Sequence, residues 1–581
     1  LAMLLPGASL LAAETLVHDP VEYSKALAQA APGDTLVLAN GVWRDFEIRF
    51  SGRGEAGKPI TLRAETPGKV ILSGRSNLRL GGEHLVVSGL VFRDGYTPTS
   101  EVIAFRTSKD ELANHSRVTE VVIDHYNNPE RYERDSWVMI YGRNNRFDHN
   151  HLVGKSNAGV TLAVRLDSEA SQQNHHRIDH NYFGPRPVLG SNGGETIRIG
   201  TSHYSLTDSF TTVENNWFER CDGEVEIISN KSGRNTYRGN VFLESRGTLT
   251  LRHGNDTLVE NNVFLGNRVD HTGGIRVINK RQTVRNNYLS GLTGYRFGGA
   301  LVVMNGVPDS PINRYHQVED TVIENNSILD SDHIELASGS DDERSAVPLN
   351  TRFRNNLIVN PESRDSIAVY DDISGIRFSG NVADGVAKLP AKSGFRVAKV
   401  ELATGANGLD YPTDRALAKA GAPRSLKVLL REQTGVSWYA KPEHGDRFAG
   451  GRNIAVAPGD DTLTDAVAAS APGDVLELAP GTYRVTKFLD IGHPLTIRAA
   501  TSSERPLILY ERTTLVQLAD GGSVQLVDLI IDGAEAPDAY DNAVIRTSRY
   551  SMLNNYEVRV SGQHRDKRFH ICRHHRPRRG T

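Results

Sequence analysis

Cysteine and methionine are scarce, with two and four copies in 581 residues. The two thiols, Cys221 and Cys572, cannot build a disulfide framework, and spacing alone does not pair them. Neither sign of charge is in excess, at 67 Lys plus Arg against 70 Asp plus Glu. That balance argues against a chain held on nucleic acid by general electrostatics. No segment reaches the ~18 apolar residues that a membrane span requires. The apolar opening, LAMLLPGASLLAAE, is short and ends in small residues. It reads as a remnant export signal over residues 1–14, which implies a periplasmic or secreted protein.

Glycine is abundant, at 54 residues, and asparagine recurs in a pattern. The phrase is polar, polar, Asn, then two apolar residues: FDHNHL, IDHNYF, VENNWF, YRGNVF, VENNVF, VRNNYL, IENNSI, FRNNLI, FSGNVA. Its last Asn falls at Asn150, Asn181, Asn216, Asn240, Asn262, Asn287, Asn326, Asn356 and Asn381, with gaps of 31, 35, 24, 22, 25, 39, 30 and 25. The shortest gaps define a basic coil and the longer ones carry insertions. Units of this size cannot bury a core alone and must stack. Short strands rich in β-branched and aromatic residues, separated by turn residues, then predict an all-β parallel β-helix. Asn suits its turn because the side chain tolerates a left-handed backbone and can bond along the stack. A leucine-rich repeat would need a Leu frame that is missing, and a propeller would need longer units.

Residues 21–31, VEYSKALAQAA, read as a short amphipathic helix covering the open end of the stack. This start is repeated: APGDTLVLANGVWRD at 31–45 matches APGDVLELAPGTYRV at 471–485, again after a helical stretch, DTLTDAVAAS. The expected organisation is a catalytic β-helix over 15–385, a linker over 386–450 and a second, incomplete β-helix over 451–560. Residues 561–581 form an atypical basic tail, crowded with Arg and His. The tail is read as a disordered terminus rather than a nucleic-acid or metal site.

One stretch, EVEIISNK at 224–231, sets a problem. On a strand, Glu224, Glu226 and Ile228 would share a face, so two carboxylates would stand side by side. Counting from the repeat Asn aligns them with Thr248, Thr250 and Arg252 on the next coil, ~4.8 Å away. SNGGETIRIG, with Asn192, Glu195 and Arg198, lies one coil earlier, and HTGGIRVINK, with Arg276, one coil later. Two carboxylates and an amide oxygen suit a hard cation such as Ca²⁺, which would also relieve the repulsion. The plainer reading is a solvated face with Lys231 and Arg252 as screening charges. A groove lined with Lys, Arg and a cation suits a polyanion, and with a polyuronate a chemistry follows. The cation would stabilise charge as the C5 proton leaves, and Lys231 would take that proton. Arg252 would stabilise the developing charge or help protonate the departing O4.

NGGETIRIG, EVEIISNKS and LTLRHG, in this order and spacing, resemble the sixth family of polysaccharide lyases, which contains alginate lyases and chondroitinase B. The resemblance covers most of residues 15–385 and implies a right-handed parallel β-helix. It implies Asn192, Glu224 and Glu226 as Ca²⁺ ligands, Lys231 as Brønsted base and Arg252 as Brønsted acid. His253, Arg276, Arg198 and Tyr295 or Arg296 would bind substrate. The second β-helix start is similar to the two-domain alginate lyases, which tilts the expected substrate from chondroitin or dermatan sulfate toward alginate. It also marks the second domain as a candidate for a homodimer contact. A non-catalytic polysaccharide-binding β-helix is the competing class. A glycoside hydrolase is disfavoured, because Glu224 and Glu226 are adjacent rather than set across a bond. The histidines at 149, 151, 175, 176 and 180 could suggest zinc, but on turns they read as ordinary hydrogen-bonding residues.

Overall fold

The computed structural model describes residues 12–562 and 572–573, apart from positions 191, 444, 541, 551, 553 and 555. Most of the expected export signal and of the basic tail lies outside the described residues. The chain divides between Lys441 and Pro442 into two compact units.

The first unit is a parallel β-helix built from three sheets of 14, 13 and 14 strands. One coil shows the pattern: Thr236–Arg238 in the first sheet, the Asn240 turn, Val241–Leu243 in the next, then Gly247–His253 in the 13-stranded sheet. Each strand pairs in parallel with its counterpart one coil on. Tyr237 and Phe242 point into the core. Phe183, Phe218, Phe242 and Phe264 stack in a column, with ring centroids 4.9, 4.6 and 4.4 Å apart.

The recurring Asn residues form a continuous buried ladder. The backbone N–H of each donates to the Oδ1 of the next coil's Asn at 2.9–3.1 Å, from Asn150 through to Asn381. Each Nδ2 from Asn150 to Asn356 donates to that same oxygen and to a carbonyl of the preceding coil, as Asn262 does to Tyr237. The left-handed backbone falls one residue earlier than expected, at His149, His180, Asn215, Asn261, Asn286, Asn325 and Asn355, with φ between 52° and 57°. Turning and bonding are thus divided between two adjacent residues. His149 and His180 serve as turn residues, their rings stacked at 4.9 Å and each Nδ1 on its neighbouring Asp148 or Asp179.

The helix expected at 21–31 runs Pro20–Gln29. Asp19 caps it by accepting from Val21 and Glu22 N–H at 2.8 Å each, and Tyr23 packs its edge on Phe46. Residues 395–397, expected within a linker, form the last strand of the sheet that follows the Asn turns, and residues 398–439 lie along the outside of that sheet. Val400, Leu409, Tyr411, Leu417 and Leu426 cover Tyr182, Trp217, Val241, Val263 and Tyr288. Each such Val or Leu, once buried, contributes ~1.5–3 kcal/mol.

The second unit repeats the plan with parallel sheets of five, four and four strands, and a helix at Thr462–Ala468. The internal repeat is physical. Asp34 accepts from the N–H groups of Ala13 and Ala31, and Asp474 from those of Arg452 and Ala471. Trp43 and Tyr483 each donate to the carbonyl four residues back, at 3.0 Å.

The ladder makes a stability prediction. Asn262→Ala strands the buried N–H of Asn240 and the carbonyl of Tyr237, so the unfolding free energy drops by ~2–4 kcal/mol. Denaturant titration checks this; a loss below ~0.5 kcal/mol would mean the ladder is not what holds the coils.

Candidate functional site

The candidate residues gather on the outer face of the 13-stranded sheet, over a cavity of about 830 Å³. The strand there is Glu226–Lys231, and Glu224 lies in the bend before it. The counted register is corrected: Glu226 faces Thr248, Ser229 faces Thr250 and Lys231 faces His253, with irregularities on either side of Ile228 and Ser229. Ile227 and Ile228 are both in the core. Burying two consecutive residues breaks the alternation, so Ile228 turns inward and does not share a face with the two carboxylates.

Glu224 is held by backbone. Its Oε2 accepts from Gly193 N–H at 3.1 Å and Gly194 N–H at 3.2 Å. Gly193 has φ +104°, and a Cβ on Gly194 would fall 2.5 Å from the Gly223 carbonyl oxygen. This explains the paired glycines of SNGGE. The buried Arg186 fixes the same loop, donating to the carbonyls of Gly159 and Glu195 at 2.9 Å and to Thr161 Oγ1 at 3.1 Å. Glu195 is fully buried, and neither of its carboxylate oxygens has a hydrogen-bond partner. Its cationic neighbour is Arg198, at 3.6 Å. Burial, with the charges of Glu195 and Glu226, pushes the Glu224 carboxyl up to about 8.

Glu226 is the opposite case. Burial would raise its pKa, but Arg276 and Arg252, each 3.7 Å away, together with Ser229 Oγ at 2.5 Å, hold it below the usual carboxylate range. Lys231 is half-buried, and burial pushes its ammonium down despite Glu226 and Glu195. Arg252 donates through Nη1 to the Tyr315 hydroxyl and lies over that ring, 4.3 Å from its centroid. Arg276 donates to the same hydroxyl at 2.8 Å and sits 4.9 Å from the Phe297 centroid. Burial lowers Arg276 to about 10.

Asn192, Glu224, Glu226, Lys231, Arg252 and Tyr295 therefore line one cleft, with Arg296 beside them. Tyr295 is 52% exposed and open to a ligand. Three expected substrate contacts do not line it. His253 is enclosed, with both ring nitrogens unpartnered, and burial lowers it to about 3. Arg276 is equally enclosed, and Arg198 is turned to Glu195. The paired Gly273 and Gly274 permit close backbone approach, since a Cβ on them would fall 2.5 and 2.0 Å from the carbonyl oxygens of Gly298 and Ala300. Glu195, Arg186 and Tyr315 are the parts that residue counting did not assign. Glu195 is a single acidic residue with no spacing signature, and Tyr315 stands in the longest gap between repeat Asn residues.

Residues 17–417 match the chondroitinase B family. Among solved structures, the chain is similar to the PL6 family alginate lyase AlyGC, at 58% identity over 97% of this chain and 78% of that one, with a TM-score of 0.83. It is similar to a mannuronic acid specific polysaccharide family 6 lyase from human gut microbiota, at 35% identity over 67% of this chain and 92% of that one, TM-score 0.62. It is also similar to the PL6 family polysaccharide lyase Pedsa3628 from Pseudopedobacter saltans, at 27% identity over 73% of this chain and 100% of that one, TM-score 0.61. No curated protein matches it.

The raised Glu224 carboxyl links the site to stability. A group whose pKa rises on folding, here from 4.5 to about 8, stabilises the fold fully below the lower value and loses that contribution as pH climbs through the upper one. In metal-free buffer the melting temperature should fall between those values, and Glu224→Gln should flatten the fall. Parallel pH–melting curves for wild type and variant would show no link between Glu224 and the pH dependence.

Proposed function

Because the chain belongs to the chondroitinase B family of polysaccharide lyases, we propose that this cleft cleaves alginate by β-elimination, leaving 4,5-unsaturated uronate ends. The observation that carries the reading is the pair Lys231 and Arg252. A lysine driven toward its neutral form by burial and an arginine open to the same cleft stand on adjacent coils of one sheet. Alginate is favoured over sulfated chains because the likeness to AlyGC runs through both units of the chain. A polymeric substrate also fits a periplasmic or secreted location.

The reaction needs a base at C5 and charge stabilisation at the uronate carboxylate. Lys231 takes the C5 proton on Nζ, the freed pair forms the C4=C5 bond, and the C4–O4 bond breaks. Arg252 and, behind it, Arg276 supply positive charge on the side where the oxygen leaves. Tyr295 lies exposed in the cleft to meet a sugar face.

Calcium is part of the proposal. Among the described residues no three of His, Cys, Asp and Glu converge as a ready metal cluster. The oxygens nonetheless fit a hard cation: Glu195 has two buried unpartnered oxygens, and Glu224 carries a carboxyl raised by burial and by its acidic neighbours. Glu195 and Glu224 with Asn192 and Glu226 are the residues that would hold it, and bound there it would supply positive charge to the substrate carboxylate. Glu226 is shared, since Arg252 and Arg276 already compensate it.

Ultraviolet absorbance of the conjugated C=C–carboxylate product tests this directly. Alginate should give a rise that chelator abolishes, and Lys231→Ala should lose ~10²–10⁴-fold in kcat while still retaining polymer in a binding assay. The acid limb of the wild-type rate should lie below the ~10.4 of a free lysine, activity growing as pH rises. A rise on dermatan sulfate alone would replace the substrate, and turnover by Lys231→Ala would remove the base.

A further inference from the structure

Glu224 hangs on the N–H groups of Gly193 and Gly194, so the direction of those peptide planes decides where its carboxylate stands. In a trans peptide the N–H and the carbonyl point opposite ways, and the described chain has no cis bond. The peptide that gives its Gly194 N–H to Glu224 therefore turns the Gly193 carbonyl into the protein. There the oxygen accepts from Gly159 N–H at 3.0 Å, and the Glu195 carbonyl accepts from Thr161 N–H at 3.1 Å. These are the bonds that link one coil to the next. A carbonyl oxygen has a second lone pair, and in both residues it is met by Arg186, at 3.3 and 2.9 Å.

Arg186 also donates to the carbonyls of Gly159 at 2.9 Å and Asn157 at 3.3 Å, and to Thr161 Oγ1 at 3.1 Å. Oxygens from two neighbouring coils thus converge on one guanidinium, which is 3% exposed. Its backbone ties in a third coil. Arg186 N–H donates to the Arg220 carbonyl and its carbonyl accepts from Asp222 N–H, each at 3.0 Å, just ahead of Glu224. Gly223 leaves room for the side chain, since a Cβ there would fall 2.8 Å from Arg186 Nε. Behind it, Asn157 accepts from the buried Lys155 at 2.9 Å and donates to Asp135 at 2.9 Å, and Lys155 pairs with Asp135 at 2.8 Å. Among the described residues no carboxylate takes a hydrogen bond from Arg186, although the charges of Glu195 and Glu224 act on it. Carbonyl oxygens gathered at one buried point repel one another unless a cation stands among them.

We propose that Arg186 is the positioning residue of the calcium site, an internal cation that fixes the Asn192–Glu195 loop so that Glu224 is already held beside it when the metal binds. This rests on the calcium reading given above. Arg186 does not touch the ion or the substrate; it acts through the Gly193–Gly194 peptide and the Glu195 backbone. A lysine could not replace it. An ammonium carries the same charge but is a compact donor with three protons, and it cannot span oxygens on two coils as a planar fork does.

Arg186→Lys tests this on the full chain. Calorimetric titration with Ca²⁺ should show a Kd raised ~10–100-fold over wild type. At Ca²⁺ concentrations that saturate the variant, its kcat on alginate should return to within about threefold of wild type, a recovery that general damage to the fold would not allow. Thr161→Val removes one acceptor and decides the matter if Arg186→Lys does not fold; its Kd should rise ~3–10-fold. The proposal is overturned if the folded variant binds Ca²⁺ within about twofold of wild type, or if saturating Ca²⁺ leaves the kcat deficit of Arg186→Lys in place. A wild type that cleaves alginate and takes up no Ca²⁺ is a different failure: it removes the calcium reading, and the proposal with it.

Discussion

The structure depends on one constraint: every coil must repeat its path so closely that an Asn side chain meets the backbone N–H of the same residue one coil away. Eight such bonds run from Asn150 to Asn381. A buried amide left unpaired costs ~1–3 kcal/mol, so a coil that slipped or lengthened at the turn would lose its bonds on both sides. The ladder therefore pins one corner of each coil and leaves the length of the others free. Insertions accumulate where they are tolerated, between the sheet after the turn and the 13-stranded sheet, or between that sheet and the next coil.

This pinning concentrates charge at the cleft. Parallel stacking brings Lys231, Arg252 and Arg276 to neighbouring coils, where side chains of one sign would repel unless interleaved with the other. The interleaving is uneven. Glu226 has two arginines and a hydroxyl, and stays ionised. Glu195 has Arg198 at 3.6 Å, Glu224 has two backbone N–H groups, the buried Arg186 lies near both, and Glu224 is still driven toward its neutral form. The same burial lowers Lys231. A region with uncompensated carboxylates next to a lysine losing its proton is expensive for stability, and a bound cation would relieve it.

The sequence carried the frame and much of the site, for identifiable reasons. The Asn phrase is legible because its role is the same in every coil, and the second start at 471–485 because Asp474 and Tyr483 repeat the bonds of Asp34 and Trp43. Glu224, Glu226, Lys231 and Arg252 could be assembled because they lie at short, countable distances from ladder residues. Counting failed where a strand stops alternating. Ile227 and Ile228 both turn inward, which shifts the pairing of the whole stretch and leaves His253 enclosed opposite Lys231. Nothing in a list of residue types announces such a bulge, since either isoleucine alone would satisfy the core.

Glu195 and Tyr315 were hidden for a second reason: their roles come from contacts with parts of the chain distant in sequence. Arg186 pins the Glu195 loop through carbonyls as far back as Asn157, and Tyr315 reaches Arg252 across 63 positions. The shortest gaps, from Asn216 to Asn287, supply the strands that carry Lys231, Arg252 and Arg276. The 35-residue gap before them and the 39-residue gap after them supply the loop of Asn192 and Glu195 and the loop of Tyr315. A regular solenoid alone presents a flat ladder of side chains to solvent. Insertions on both sides of the regular coils convert that ladder into a walled cleft, where burial can shift the proton affinities of the groups it encloses.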